Sequence, residues 1–410
     1  MRALLVAVGT RGDVQPALAL ALALKRHGHG VRLCVSPNFV EWAKSLELDA
    51  VPMGVEMRAP APRSGSAPAL TPEQIRKLRE SMPDLITDQF DTIAAVVDGC
   101  DVIVGANAHQ YGGPSIAEQR GIGCVTAVYA PVVIPSADLA PPPAPGQPAT
   151  ADTSLSIEER WRQTSEAWNE RALERVNRNR DRLGLAPIAD VLDYVLTNRP
   201  WLAADAALAP VPSTPGRTVL QTGGWVLRDE TPLPDELEAF LAAGDPPVFV
   251  GFGSMPAPLD VSAPVIAAVR SCGRRVLVSS GWAGLDRVDD GADCMVVKDV
   301  SHAALFRRVA AVVHHGGAGT TAAAARAGVP QVITPMFSDQ FYWASRVVAL
   351  GIGAATPHVG LSASSLADAL RTATAPATAM RARTVAGAMR DDGADVAARQ
   401  LEAEFDARAR

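Results

Sequence analysis

Cysteine is scarce in this chain and carries no pattern. Cys34, Cys100, Cys124, Cys272 and Cys294 are odd in number, scattered over 410 residues, and form no CxxC pair. That argues against a disulfide framework or a zinc ribbon and fits a reducing cytoplasm. No cluster of His, Asp or Glu has metal-ligand spacing, so no metal is expected. A basic excess is missing too: 38 Lys and Arg face 44 Asp and Glu, for a net charge of −6. Nucleic-acid binders normally present a basic face, so that class is set aside. No run of about 18 apolar residues occurs, so no membrane span is expected. Met1-Arg2 before Ala3–Val8 has the look of a secretory signal, but the apolar run is short. The charges of Thr10-Arg11-Gly12-Asp13 break it. A first buried strand is the better reading.

What the chain does contain is enough apolar residue for two cores. It is 48% hydrophobic and 20% charged, and its length suggests two domains. Ala3–Val8 reads as a buried strand, Val14–Arg26 as a helix with Pro16 in its first turn and Gly28 past its end, and Val31–Val35 as the next strand. Such βαβ units build parallel sheets. Helices follow within Thr71–Val97, broken at Pro83, and within Ser115–Arg120 and Ile157–Leu183. Val102–Gly105 and Cys124–Ala130 read as strands, and the proline-rich Pro135–Pro148 reads as a mobile loop. A second series begins near residue 220. Its strands are Pro247–Phe252, Arg275–Ser279, Cys294–Val297, Ala310–His314 and Gln331–Thr334.

The expected architecture is therefore α/β: two facing Rossmann-like domains with parallel sheets and an interdomain cleft. Residues 1–207 form the first domain, 208–224 the linker and 225–395 the second. Residues 396–410 form a C-terminal helix that packs back on the first domain. Ligands in such folds sit outside the carboxyl ends of strands.

Three constellations carry chemistry. His314-His315-Gly316-Gly317-Ala318-Gly319-Thr320-Thr321 is a glycine-rich turn between an apolar run and an alanine-rich helix. Glycines let the backbone approach an anion, and the helix N-terminus adds favourable dipole charge. A plain strand–helix turn is the alternative for that motif taken alone. Asp339-Gln340, beyond Pro335, offers a carboxylate and an amide to sugar hydroxyls. Together the two suggest a site for a nucleoside diphosphate bearing a hydroxylated group. Ser254 could hold a second phosphate or simply cap a helix. Trp282 could stack on a nucleobase or belong to the core. Asp13, at the end of the first strand, is placed to take a proton from an acceptor hydroxyl, or to serve as a helix N-cap. His109 could line an acceptor pocket, whereas His27 and His29, flanking Gly28, read as structural.

On these motifs the whole chain resembles the bacterial natural-product branch of the UDP-glycosyltransferase superfamily, which has the GT-B fold. The stretches that carry the likeness are Gly9–Pro16, Gly251-Phe252-Gly253-Ser254, Val300–Phe306, His314–Thr321 and Pro335–Gln340. Pro200–Asp205, Gln221–Trp225 and Leu237–Gly244 point further, to the enzymes that glycosylate vancomycin-type glycopeptides. The resemblance implies a diphosphate-binding turn at His315, Gly316, Gly317, Gly319 and Thr320, with Asp339 and Gln340 on the donor sugar. It implies a phosphate contact at Ser254, a base pocket at Trp282 and Val297, and Thr10 and Arg11 near the donor phosphates. Asp13 falls where many members carry a catalytic histidine. Those members pair the histidine with an aspartate. Val102–Gln110 offers only Asn107 and His109, which are taken as acceptor-side candidates.

The implied reaction is an inverting, metal-independent transfer from a UDP- or dTDP-sugar to a hydroxyl of an antibiotic aglycone, by a cytoplasmic monomer or homodimer without a cofactor. The rivals are a sterol-type glucosyltransferase, a nucleotide-sugar 2-epimerase, and a catalytically lapsed auxiliary protein. The long irregular stretch from Pro60 to Pro148 argues against the epimerase. The intact donor motifs argue against the lapsed protein.

Overall fold

The computed structural model describes residues 1–57, 84–143, 154–253, 261–281 and 285–406. The chain divides into two compact units. One comprises Met1–Ala127, Gln163–Pro200 and Ala398–Arg410; the other comprises Val128–Arg162 and Trp201–Ala397.

The first unit is built on a parallel sheet. Its strands are β1 (Arg2–Ala7), β2 (Gly30–Val35), β3 (Asp49–Pro52), β4 (Val102–Ala106) and β5 (Gly123–Val128), in the order β3-β2-β1-β4-β5. Leu4, Val6, Cys34 and Ile103 pack in one core with Ile116, Val176 and Val195. Leu5, between Leu4 and Val6, is buried as well. Burial on both faces is what produces unbroken apolar runs in parallel strands. The short strand β3 was not evident in the sequence.

The helix after β1 spans Arg11–Arg26, a turn earlier than the sequence suggested. The cause is Asp13. Its Oδ2 accepts from the Thr10 backbone N–H at 2.7 Å, so Thr10 is the N-cap and Asp13 the third helical residue of a capping box. Pro16 consequently lies inside the helix, not in its first turn. Val14, Ala17, Leu18, Leu20, Ala21 and Leu24 are among its buried residues. Near its far end, Glu402 Oε1 lies 2.9 Å from both His27 Nδ1 and His29 Nε2. Those histidines are structural, tied to the helix Gly393–Asp406.

The second unit carries β6 (Trp201–Leu202) paired with β7 (Leu220–Gln221), and a larger parallel sheet. The latter consists of β8 (Val248–Gly251), β9 (Val276–Ser279), β10 (Cys294–Val297), β11 (Ala311–His314), β12 (Gln331–Ile333) and β13 (Gly353–Ala355). Their order is β10-β9-β8-β11-β12-β13. Val248 and Val250 face one core with Val276, Val278 and Val313; Phe249 faces another with Leu277, Val312 and Phe306. This alternation within one strand shows helices covering both faces.

Both sheets follow the doubly wound pattern, in which the strand order reverses beside the first strand. The reversal falls between β1 and β4 in one unit and between β8 and β11 in the other. The turns leaving those four strands are where such folds bind ligands.

Residues 135–143 depart from the mobile loop expected there, whose remainder (144–148) lies outside the described residues. Ser136 Oγ donates to Leu139 O at 2.9 Å, Ala137 N to Ser213 O at 2.8 Å, and Trp161 Nε1 to Leu139 O at 2.9 Å. Proline density misled here because side-chain and backbone hydrogen bonds pin the segment. Of the helical stretch expected over Thr71–Val97, residues 71–83 lie outside the described residues. The part seen, Leu85–Val96, is capped by Asp84, which accepts from Ile86 N and Thr87 N at 3.2 Å each.

Candidate active site

In the second unit, the turn after β11 is assembled around two histidines with different tasks. His314 is fully buried. Gly316 N donates to its Nδ1 at 3.1 Å, so Nδ1 is the acceptor and the proton sits on Nε2. Nε2 in turn faces Gln331 Oε1 at 2.9 Å, and Gln331 Nε2 donates to Thr321 O at 3.3 Å. One imidazole thereby fixes the backbone of the turn and ties it to β12. Burial pulls its pKa down to about 3, with His315 adding to the fall. His314 and Gln331 did not figure among the site residues expected from sequence. The doubled histidine, and a glutamine opening an apolar strand, were the signals.

His315 points elsewhere. Its Nδ1 is buried and has no hydrogen-bond partner among the described residues. Burial lowers its pKa to about 4. The ring lies against two glycines: a Cβ on Gly317 would sit 2.5 Å from its Nε2, and one on Gly253 would sit 3.3 Å from its Cε1. Gly316 has φ +92°, and a Cβ there would fall 2.7 Å from Ile333 Cγ2. These positions leave no room for side chains.

Gly317 is the N-cap of the helix Ala318–Ala327, whose first backbone bond is Thr321 N to Gly317 O at 3.0 Å. The N–H groups of Ala318, Gly319 and Thr320 precede it, at the positive end of the helix dipole. A buried polar nitrogen without a partner is costly. Beside a glycine-lined helix N-terminus, it describes a seat for an anion.

The second motif abuts this turn. A Cβ on Gly316 would lie 3.2 Å from Gln340 O. Gln340 is buried, and its Oε1 accepts from Met336 N at 2.8 Å and Phe337 N at 3.3 Å. Asp339 is the N-cap of the helix Gln340–Ala349, and Trp343 Nε1 donates to its Oδ2 at 2.9 Å. The carboxylate and the amide are thus held in place by their own loop.

Val297, expected at the base pocket, lies at the end of β10. Its side chain is buried in the core with Leu277, Leu305 and Phe306, and its carbonyl accepts from Ser280 N at 3.1 Å. Ser254 and Trp282 lie outside the described residues.

In the first unit, Gly9 leaves β1 with φ +148°, and a Cβ there would overlap Asp13 Oδ2 at 2.2 Å. Glycine is required for the carboxylate to lie where it does. Asp13 Oδ2 also accepts from Thr10 Oγ1 at 3.2 Å, and Asn107 Nδ2 donates to Oδ1 at 2.5 Å. The two turns flanking the strand reversal therefore meet at this carboxylate. Arg11 is exposed, with its guanidinium 5.1 Å from the centre of the Trp42 ring and Nε bonded to Gln15 Oε1 at 3.1 Å. His109 stacks on Trp168 at 4.8 Å with 3° between the planes, and its Nδ1 lies 3.1 Å from Tyr111 Oη. The residue is exposed. Close packing nevertheless pulls its pKa below the ordinary imidazole value, against the raising influence of Asp13. Among the described residues no group of three or more His, Cys, Asp or Glu side chains is disposed to hold a metal ion. No described helix is long and apolar enough to cross a membrane.

Two doubly wound parallel sheets, each with its candidate groups at the strand reversal, define a GT-B nucleotide-sugar enzyme. Residues 3–137 match the N-terminal domain of glycosyltransferase family 28, and residues 286–400 match the C-terminal domain of the erythromycin biosynthesis protein CIII-like family. The chain is 45% identical over 403 residues to a vancomycin aglycone glucosyltransferase of Amycolatopsis orientalis, covering 98% of this chain and 97% of that one. It is 40% identical to a dTDP-epi-vancosaminyltransferase of the same organism, over 94% and 93% of the two chains. Among solved structures, the glycosyltransferase of kitacinnamycin superposes with a TM-score of 0.72 at 20% identity, over 98% of each chain. The glycosyltransferase VinC in complex with dTDP superposes with 0.64 at 23% identity, over 95% of each. The chain belongs to the bacterial natural-product branch of the UDP-glycosyltransferase superfamily. It is a glycosyltransferase that moves a sugar from a nucleotide donor to an aglycone.

Proposed function

We propose that the protein transfers a sugar from dTDP or UDP to a hydroxyl of a glycopeptide-type aglycone, with inversion at the anomeric carbon. Asp13 takes the proton of the acceptor hydroxyl. The acceptor oxygen forms a bond to C1 of the sugar as the bond from C1 to the β-phosphate oxygen breaks, and the nucleoside diphosphate leaves with the bonding electrons. His315 and the N–H groups of Ala318, Gly319 and Thr320 stabilise the departing diphosphate. Asp339 and Gln340 hold the sugar hydroxyls, with Thr10 and Arg11 near the donor phosphates. Residues 1–207 take the acceptor, with Asn107 and His109 on that side, and residues 225–395 take the donor.

One observation carries this proposal above the rest: the buried Nδ1 of His315, without a hydrogen-bond partner among the described residues, beside a glycine-lined helix N-terminus. The 45% identity to a vancomycin aglycone glucosyltransferase supports the acceptor class. The test is mass spectrometry of dTDP- and UDP-sugars incubated with glycopeptide aglycones, using wild type and Asp13→Asn. Glycosylated aglycone is expected from the wild type. Turnover should fall about 100-fold or more in a folded Asp13→Asn protein. Near-full turnover by that variant would remove Asp13 from the role of base.

A further inference from the structure

We infer that Asn107 is a positioning residue for Asp13, rather than a contact to the acceptor. The inference rests on the proposal that Asp13 is the base.

Asn107 follows β4 and has φ +78°, a left-handed conformation that asparagine tolerates better than most residues. Its backbone N–H donates to Ala127 O at 2.7 Å, so this conformation is held from the neighbouring strand. The side-chain Oδ1 accepts from Ala108 N at 2.6 Å. That bond fixes which end of the amide is oxygen, because a flipped amide would set two donors against each other. Only the N–H end is left to face Asp13, and it does so at Oδ1.

Capping the helix accounts for the Thr10 bonds to Oδ2. It does not account for a donor on the other oxygen that comes from a different strand, 94 residues away. Two clamps on opposite oxygens fix both torsions of the short side chain. Asn107 thus sets the direction of the group that must meet the acceptor hydroxyl.

His109, two residues further on, is a titratable neighbour that feels Asp13, and Arg171 acts on His109 in turn. The pH profiles are therefore taken with and without His109→Gln, to separate that ring's own titration.

The experiment is steady-state kinetics of the full chain across pH, with a transferable nucleotide sugar and aglycone. Asn107→Gly keeps the backbone conformation and removes the amide. Its kcat is expected to fall about 10- to 100-fold, with both KM values within about twofold. Asn107→Asp should move the acidic limb of kcat to higher pH, because two carboxylates in hydrogen-bonding contact resist ionising together. A near-wild-type kcat in Asn107→Gly overturns the inference. So does a rise confined to the acceptor KM, which would make Asn107 an acceptor contact. Asp13→Asn separates the two claims. If it keeps turnover, the base itself is misassigned. If it abolishes turnover while Asn107→Gly is silent, only the positioning role falls.

Discussion

His314 Nε2 lies 2.9 Å from Gln331 Oε1, while the other nitrogen of the same ring accepts the Gly316 N–H. The first histidine of the pair is therefore a bracket between two strands, and only the second is offered to a ligand. Replacing His314 with Ala strands the Gln331 oxygen and the Gly316 N–H in a fully buried place and leaves a cavity. The expected loss is about 2–4 kcal/mol, read by urea denaturation. Affinity for the nucleoside diphosphate should weaken with it, because Gly316 is no longer held. An unchanged denaturation midpoint would contradict the bracket.

Acid should weaken the empty protein through these two rings. Burial lowers the pKa of His314 to about 3 and that of His315 to about 4, from an ordinary 6.5. Above pH 6.5 both folded and unfolded chains carry the rings neutral, and the native contacts cost nothing in protons. As pH falls from 6.5 toward 4, the unfolded chain binds protons that the folded chain refuses. Each ring then removes up to about 1.4 kcal/mol of stability per pH unit. Urea unfolding at a series of pH values should show that slope, and His315→Gln should lose its share. An identical slope in the variant would show that His315 is not neutral when folded.

Two glycines should fail in opposite ways. A methyl on Gly9 would collide with Asp13 Oδ2, and one on Gly317 with His315 Nε2. Gly9→Ala displaces the proposed base, so kcat should drop about 100-fold with donor KM little changed. Gly317→Ala displaces the proposed phosphate donor, so donor KM, or the Kd for dTDP by calorimetry, should rise about tenfold or more. If both variants lost only donor affinity, Asp13 would belong to donor binding and not to the chemistry.

The β-strands that matter were legible because each is an unbroken apolar run that leads into glycine, directly at Ala3–Gly9 and through the two histidines at Ala310–Gly316. The short strands β3, β6, β7 and β13 were not, since two to four residues leave no periodicity to read. Asp13 was visible as a choice between helix cap and base. It proved to be in a capping box and also to be clamped by Asn107, a pairing across 94 residues that no local pattern encodes. The two histidines looked alike in sequence; Gln331 distinguishes them, and only the register of β11 against β12 brings it to His314.

Arg180 is a buried charge in the first unit. Its side chain is 4% accessible, whereas its ion-pair partner Glu118 is 50% accessible. The guanidinium donates from Nε to Ala186 O at 2.7 Å, and from Nη1 to Glu118 Oε2 at 2.8 Å and Ser115 Oγ at 3.2 Å. It lies 5.2 Å from the centre of the Tyr194 ring, whose hydroxyl touches Ser115 Oγ. Arg180→Met removes the donors and leaves a buried carbonyl and two hydroxyls with fewer partners, for an expected cost of about 3 kcal/mol. Glu118→Gln keeps an acceptor on a half-exposed side chain and should cost under about 1 kcal/mol. Thermal denaturation of the two variants decides: equal and small shifts would mean that the ion pair, not the buried network around Arg180, was all there was to lose.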